Sequence, residues 1–260
     1  MERQMRHRLR NQWLAPVLLL LLGLVVLPTL AKDAPRPELH LQLGHGGRVR
    51  AAAFSADGRI LVSAGEDELL KLWDVDSGDL LSTMEGQQTA ICSVAISPDS
   101  RWIASTGSVG STLICVWDAA NGRMKYRLRG HNAMIYKLVF SPDSSLLASG
   151  GKNGEARIWD MRTGAERHTL AIPFDDAAQS NIFNLHFTPD NRWLLASCGR
   201  YLRRWDVRTG AVLATRELPA DAVAVALAPG GGRYACSYLQ QGWQIDIIEM
   251  ATDTVACHIP

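Results

Sequence analysis

Three residues, His45, Ser63 and Asp67, are of the types that form a hydrolytic triad. In such a triad a carboxylate orients a histidine, which takes the proton of an exposed serine hydroxyl and so makes it a nucleophile. The same pattern returns in a later copy of the sequence, but there Asn153 stands in the place of the acid. A hydrogen-bond network tolerates this exchange, whereas a catalytic carboxylate tolerates it poorly. We therefore interpret the three residues as parts of a structural network.

The sequence offers little else that could carry catalysis. The segment 107–112 resembles a phosphate-binding loop, but it lacks the lysine and the spacing of that motif and lies between two predicted strands. No group of histidine, cysteine and acidic residues has the spacing of metal ligands. The five cysteines form no CxxC motif, and their odd number argues against a disulfide framework. We therefore expect a protein that is not an enzyme and that binds neither a metal nor a cofactor.

The charge balance argues against a nucleic-acid partner. The chain has 27 basic and 26 acidic side chains, and residues 1–31 contain four of the basic and one of the acidic ones. The rest of the chain therefore carries 23 basic and 25 acidic side chains, which is close to neutral. A protein that binds a phosphate backbone needs a basic surface, so we expect no nucleic-acid partner.

Residues 1–31 have the order of a targeting segment. Four arginines precede an apolar run of about fourteen residues, and Thr29 and Ala31 stand at positions −3 and −1 of a cleavage point. This order is typical of a secretory signal peptide, although the stretch from Trp13 to Ala31 is also long enough for an uncleaved anchor helix. In both cases the arginines stay in the cytoplasm and the following residues cross the membrane. We expect an exported, periplasmic or otherwise extracytoplasmic protein that contacts the membrane only through residues 1–31, if they are retained.

The rest of the chain is one unit repeated five times. A Trp-Asp pair followed by a turn and a glycine begins at Trp73, Trp117, Trp159 and Trp205, with a degenerate copy at Ile248. Successive copies are 44, 42, 46 and 43 residues apart. A second marker keeps the same period, a turn of the Ser-Pro-Asp type that begins at Ser55, Ser97, Ser141, Thr188 and Ala228. Proline, aspartate, asparagine and glycine at these positions are typical of hairpin turns.

Apolar and polar residues alternate between these markers, which is the pattern of β-strands. Each copy has an apolar strand before the turn, a second strand after it, a third that ends in the Trp-Asp pair, and a fourth, more polar strand. Four short antiparallel strands form one twisted sheet, and because such a sheet cannot bury both faces alone, successive sheets must pack face to face. The sequence therefore predicts an all-β fold whose five four-stranded sheets are the blades of a propeller, preceded by a signal or anchor helix.

These residues resemble the WD40 repeat family. The resemblance rests on the Gly-His pairs that end at His45 and His131, on the Trp-Asp pairs and on the period, and it covers residues 38–260. It implies a WD40-type β-propeller that follows a linker at residues 32–37. The repeats it implies span residues 43–84, 85–128, 129–170, 171–216 and 217–260.

The resemblance also implies a tetrad of hydrogen-bonded side chains within a blade. In the first copy the tetrad falls on His45, Ser63, Asp67 and Trp73. In the third copy it falls on His131, Ser149, Asn153 and Trp159. The second copy has Gln87 at the histidine position and no acid in its turn, and the last two copies lack the histidine. We therefore expect the later blades to be held less firmly.

The largest departure from the repeat is the segment Ala171–Asn181, where an acidic connection replaces the Gly-His turn. Irregular loops on a rigid scaffold often carry binding function, so its residues Phe174, Asp175 and Asp176 are candidates for contact with a partner. Drift of a weakened repeat explains the segment equally well.

Two interpretations of function remain open. In the first, the chain is a non-catalytic scaffold, exported across or anchored in a membrane, that binds partner proteins through its blade loops. In the second, it is the docking or sensor part of a larger exported hydrolase or signalling protein, an interpretation that rests on analogy with the family.

The number of strands raises the question of ring closure. Residues 38–43 have the pattern of an additional outer strand, which leaves one strand over, and rings of this family usually contain more than five blades. We therefore expect an incomplete or strained ring with an unpaired sheet edge, which a partner, a second copy or further sequence would cover.

Overall fold

Strands occupy the alternating segments of the computed structural model, which describes residues 44–108, 110–172, 181–240 and 242–259. The twenty strands of these residues form five antiparallel sheets of four strands each, and the same residues contain no helix. The prediction of an all-β fold with five four-stranded blades is confirmed.

The blades follow one another in chain order. Their strands are β1 Val49–Phe54, β2 Ile60–Gly65, β3 Leu70–Asp74 and β4 Leu80–Met84 in the first; β5 Ile91–Ile96, β6 Trp102–Gly107, β7 Ile114–Asp118 and β8 Met124–Leu128 in the second; β9 Ile135–Phe140, β10 Leu146–Gly151, β11 Glu155–Asp160 and β12 Glu166–Ala171 in the third; β13 Asn184–Phe187, β14 Trp193–Cys198, β15 Tyr201–Asp206 and β16 Val212–Glu217 in the fourth; and β17 Ala222–Leu227, β18 Arg233–Leu239, β19 Trp243–Glu249 and β20 Val255–Ile259 in the fifth.

Each blade is a meander in which every strand pairs only with its neighbours in the chain. The register repeats from blade to blade: Trp73 lies opposite Leu61, and Trp159 lies opposite Leu147. Because side chains alternate along a strand, every blade has two faces. We call the face that carries the tryptophan, or Ile248 in the fifth blade, the leading face, and the opposite one the trailing face.

The Ser-Pro-Asp turns are stabilised by their own side chains. In the third blade the hydroxyl of Ser141 donates to Oδ1 of Asp143 at 2.6 Å and accepts the backbone N–H of Leu146 at 2.9 Å. The equivalent contacts are present at Ser55, Ser97 and Thr188. The hydroxyl thus satisfies a backbone group at the start of the second strand, which explains why serine or threonine opens four of the five turns.

The hydrophobic core lies between the blades. The trailing face of the second blade packs on the leading face of the third, where Val116 joins a cluster with Leu147 and Trp159. Equivalent clusters join the first blade to the second, the third to the fourth and the fourth to the fifth, and they bury Trp117 and Trp205. Among the described residues, no such cluster joins the fifth blade to the first. The five blades therefore form an open array.

The signal or anchor helix predicted at residues 1–31, the linker at 32–37 and the additional strand at 38–43 lie outside the described residues. The fifth blade has its own fourth strand, β20, so its sheet is complete without residues 38–43. Among the residues that the structure describes, no helix is long and apolar enough to cross a membrane.

Candidate functional site

The four predicted residues of the first blade lie in one chain of hydrogen bonds. The carboxylate of Asp67, in the β2–β3 connection, lies 2.9 Å from Nδ1 of His45. Nε2 of the same ring lies 2.7 Å from Oγ of Ser63, and the indole N–H of Trp73 donates to that oxygen at 2.8 Å. Because Nδ1–H points at a carboxylate, Nε2 is the nitrogen that accepts the hydroxyl proton of Ser63.

The order of these contacts matches a hydrolytic triad, but the serine is not available for catalysis. Ser63 is buried, donates its proton to His45 and accepts the indole N–H of Trp73, whereas a nucleophile needs an open approach to substrate. The backbone N–H of Gly46 also donates to Asp67 at 2.9 Å. Burial opposes ionisation, but the hydrogen bonds from His45 and Gly46 hold the pKa of Asp67 below its usual value. The carboxylate is thus a charged anchor of the network.

The third blade repeats three members of this network and loses the fourth. Nε2 of His131 lies 2.7 Å from Oγ of Ser149, which accepts the indole N–H of Trp159 at 2.9 Å. The prediction that Asn153 completes the tetrad is wrong, because its side-chain N–H donates to Oδ1 of Asn132 at 2.9 Å instead.

The turn that holds Asn153 explains the difference. Asn153 and Gly154 have positive φ angles of 77° and 65°. Two consecutive positive φ angles are typical of a type I′ turn, which the sequence Asn-Gly favours. In the first blade only Glu68 of the equivalent turn has a positive φ, of 65°, and Asp67 keeps the orientation that reaches the histidine.

His131 therefore has one ring nitrogen without a hydrogen bond in a buried site. Nδ1 has no hydrogen-bond partner among the described residues, and the nearby carboxylate of Glu155, at 3.5 Å, is itself paired with Arg157 at 2.7 Å. Burial, assisted by the positive charge of Arg157, lowers the pKa of His131 to about 4. The ring is neutral at pH 7.

The second blade keeps more of the network than the sequence suggested. Oε1 of Gln87 accepts the hydroxyl proton of Ser105 at 3.0 Å, and Ser105 accepts the indole N–H of Trp117 at 3.0 Å. The amide oxygen thus replaces the ring nitrogen of a histidine. The signal was present in the sequence, since Gln87 and Ser105 are 18 residues apart, as His45 and Ser63 are.

The last two blades rely on other polar contacts. In the fourth blade Ala196 stands at the position of the serine. In the fifth blade the buried carboxylate of Asp246 accepts the hydroxyl proton of Tyr238 at 3.0 Å and lies 2.7 Å from Nδ1 of His258. Sequence reasoning missed this group because no acid stands at the same register position in the other copies.

A groove of about 490 Å³ lies between the first and second blades. Apolar side chains line it, among them Ile60, Leu72, Ile96 and Ile103, and Arg101 lies at the same site. Ligand sites in proteins are concave, mostly apolar and of this order of size. The groove therefore has the dimensions and chemistry of a binding site for an apolar group.

Two small side chains distinguish this groove from the equivalent place one blade later. Between the second and third blades, the ring of Tyr126 spans the equivalent space and its hydroxyl donates to the carbonyl of Arg162 at 2.9 Å. The register position of Tyr126 is held by Ser82 in the first blade. On the facing blade, Ala119 follows the Trp-Asp pair where Met161 does so one blade later. The smaller pair leaves the space between the first two blades open to an apolar group, whereas Tyr126 and Met161 occupy part of the equivalent space and line what remains of it.

Charged side chains around this groove are mostly basic. The guanidinium of Arg101 lies 4.7 Å from the ring centroid of Trp102, and Arg101 also lines a second groove, of about 450 Å³, between the second and third blades. The charged residues that line the two grooves are Asp99, Arg101, Lys125, Asp160, Arg162 and Arg167. Four of these six are cations, and although Arg167 is paired with Asp160 at 3.0 Å, the set keeps a net positive charge, which favours an acidic ligand.

The predicted partner-binding residues Phe174, Asp175 and Asp176 lie outside the described residues, and their role stays a prediction. In the part of the chain that the structure describes, no group of three or more histidine, cysteine or acidic side chains is placed to hold a metal ion.

Comparison with known protein families gives one match. The profile described as "WD40: WD domain, G-beta repeat" matches residues 37–74, 78–118, 122–160 and 171–206. These four segments cover more than half of the chain and include the first four Trp-Asp pairs.

Similar curated proteins match over shorter stretches. "Nuclear distribution protein PAC1" of Arthroderma otae is 38% identical over 73 residues, which are 25% of this chain and 16% of that protein. "WD repeat and SOCS box-containing protein 1" of Homo sapiens is 41% identical over 66 residues, 25% of this chain and 16% of that protein. "COMPASS component SWD3" of Saccharomyces cerevisiae is 33% identical over 70 residues, 27% of this chain and 22% of that protein. The chain thus spans less than a quarter of the length of each of these relatives.

Proposed function

Because this chain belongs to the WD40 repeat family, we propose that it is a non-catalytic platform for protein interaction whose first and second blades hold the binding site. Family membership and the name of one relative, a component of a complex, support a role in protein interaction. The observation that carries the proposal is the apolar groove between the first two blades.

The chemistry of the groove specifies the partner. The apolar lining takes a large apolar side chain, and its burial supplies most of the binding energy, as anchor residues do at protein interfaces. Arg101 and the cations of the neighbouring groove attract a carboxylate next to that side chain. The proposed partner therefore presents a segment in which a bulky apolar residue adjoins aspartate or glutamate.

The polar networks of the blades support a non-catalytic role. Ser63 is the serine whose partners most resemble a triad, and it is buried with its hydroxyl committed to His45 and Trp73. In the second blade Gln87 takes the place of the histidine in the same network. A glutamine cannot act as a general base, but it accepts the same hydrogen bond.

A peptide-display selection tests the site. A random library panned on the full chain should enrich peptides that combine a bulky apolar residue with an adjacent acid. The double variant Ser82→Tyr and Ala119→Met places in the groove the side chains used one blade later, so it should stay folded, narrow the apolar space and lose the selected peptides. Thr252→Tyr, an exposed change in the fifth blade, is the matched control. Undiminished binding to the filled variant would exclude the groove.

We also propose that the repeat region acts outside the cytoplasm. The support is the sequence of residues 1–31, with its arginines, apolar run and small residues. A phosphatase that is active only after export, fused behind Pro260, should be active in cells. Replacing Leu20 and Leu22 by arginine in the apolar run should abolish that activity without preventing synthesis. A well-expressed but inactive fusion of the unaltered chain would contradict export.

A further inference from the structure

The leading face of the first blade is apolar, and no other blade of the described residues packs on it. Phe54 is 61% exposed, whereas Phe140, at the same register position of the third blade, is 6% exposed. Val75 follows the Trp-Asp pair and is exposed, whereas Met161 at the equivalent position is buried. Trp73 is half-buried although the other three tryptophans of the Trp-Asp pairs are buried. This face has the composition of an inter-blade interface without its partner.

The trailing face of the fifth blade is its counterpart. Leu239, Trp243, Ile245 and Ile259 lie on this face and are exposed, Trp243 by 62%. In the first four blades the trailing face packs on the next leading face. In the part of the chain that the structure describes, no further blade packs on this apolar trailing face. Exposed contiguous apolar surface of this kind marks an interaction site.

The contacts between internal blades show how these two faces would fit together. The hydroxyl of Tyr126 donates to the carbonyl of Arg162, and Nε2 of His168 lies 3.2 Å from the carbonyl of Arg208. Each of these contacts joins a fourth strand to the turn after the next Trp-Asp pair. Cys257, which lies opposite Ile247, occupies the same register position in the fifth blade and is exposed.

We propose that copies of this chain associate end to end, with the trailing face of the fifth blade of one copy packed on the leading face of the first blade of another. The support is continuity: the contact repeats the interface that the chain forms four times within itself. Both halves of that interface are present on one molecule, so the contact is heterologous. Two copies can therefore cover both of each other's exposed faces, or further copies can add at the free ends. By the internal register, Cys257 of one copy then faces the turn from Asp76 to Gly78 of the next, because Ser82, Tyr126 and His168 lie against the glycines that correspond to Gly78 in their turns.

Cross-linking tests this geometry. The full chain carrying Asp76→Cys is prepared with two different affinity tags, and the two preparations are mixed and oxidised in mild detergent. We expect a disulfide between differently tagged copies that is lost in Cys257→Ser. Ala120→Cys is the matched control, since Ala120 holds the same turn position in the second blade and should not form the disulfide. A disulfide confined to single chains would show that each copy closes on itself and would overturn the proposal.

The mass of the assembly gives an independent test. Sedimentation of the full chain should show assemblies of two or more copies, and Trp243→Asp or Ile245→Asp should weaken their association at least tenfold. Both residues are exposed, so the variants should keep the fold. Val212→Asp, an equally exposed change on the fourth blade, is the control and should leave the association unchanged. A chain that remains monomeric at all concentrations, or equal association of all three variants, would refute end-to-end packing.

Discussion

The first and third blades contain the same histidine, serine and tryptophan. They differ at the fourth member of the network and in whether another blade packs on the face that carries the tryptophan. The contacts among the first three residues are nearly identical, at 2.7–2.9 Å in both blades. They depend on strand register, which the hydrophobic pattern sets. The fourth contact depends on a turn, and it is present with Asp67 and absent with Asn153. Parts of a repeat that are fixed by strand register thus persist where parts fixed by a turn diverge.

The largest difference in stability between variants of the two blades should come from the neighbouring blade that covers Trp159 but not Trp73. Trp159 is 2% exposed between the second and third blades, and Trp159→Ala should lower the free energy of unfolding by about 3–5 kcal/mol, the usual cost of removing a buried aromatic ring. Trp73→Ala, on the uncovered leading face, should cost less than half as much. Urea denaturation in a Trp243→Asp background, in which copies should not associate, compares the two variants. Equal losses would mean that the leading face of the first blade is covered within a single copy.

The pH dependence of stability should separate the two histidine sites. The pKa of His131 is lowered by burial to about 4, so the unfolded chain binds a proton more tightly than the folded one. Above about pH 6.5 the protonation of His131 does not affect the free energy of unfolding. As the pH falls toward 4, that free energy should decrease by about 2–3 kcal/mol in total. His131→Gln, which introduces the residue that the second blade has at this position, should remove this part of the pH dependence. Urea titrations at pH 7.0 and 4.5 measure it, and unchanged curves would contradict the buried neutral ring.

Asp67 responds in a different pH range. Its pKa is lowered in the folded state, so its contribution is present above the pKa of the unfolded carboxyl group and is lost as the pH falls below about 4.

Exchanging the two turn residues tests the difference directly. Asp67→Asn removes the charge that accepts the Nδ1–H of His45, and it should lower stability by about 1.5–3 kcal/mol, the range for hydrogen bonds to charged groups. Asn153→Asp should change stability by less than about 0.5 kcal/mol, because Asp-Gly favours the same type I′ turn and keeps the side chain directed away from His131. Thermal unfolding at pH 7 measures both. A clear gain from Asn153→Asp would show that the turn adapts to the residue.

A small gain in stability is expected in the fourth blade. Ala196→Ser places a hydroxyl where Ser63, Ser105 and Ser149 accept an indole N–H, and there it would face Trp205. The added hydrogen bond should stabilise the chain by about 0.5–1 kcal/mol. Ala196→Val, which fills similar space without an acceptor, is the control and should not stabilise. If serine and valine change stability equally, the effect of a substitution at this position depends on packing and not on a hydrogen bond.

The sequence was sufficient for the strands and their grouping, because the alternation and the two turn markers act locally and repeat five times. The resemblance to the family also predicted which residues of the first network meet, and the structure places two of them, Ser63 and Trp73, on adjacent strands. It failed for Asn153, where residue type matched the family but the φ angles of Asn-Gly directed the side chain elsewhere.

The groove and the two uncovered blade faces could not be predicted from the sequence, for a different reason. Ser82 and Ala119 line the groove from two different blades, and their small size matters only in combination. The number of strands predicts an unpaired sheet edge, whereas the described part of the chain presents two uncovered sheet faces. Whether a face is covered depends on how many blades pack in sequence, which no single repeat encodes.

The open array also shapes how the chain reaches its native state. Every core of the described residues joins blades that are adjacent in sequence, so native contacts span at most about two repeats. Folding rates decrease as contacts become more distant in the chain, and N-terminal segments emerge first during synthesis. The first blade can therefore form and serve as a template for the second while the remainder is still being made. No step has to bring β1 and β20 together, so folding can proceed vectorially, one blade at a time.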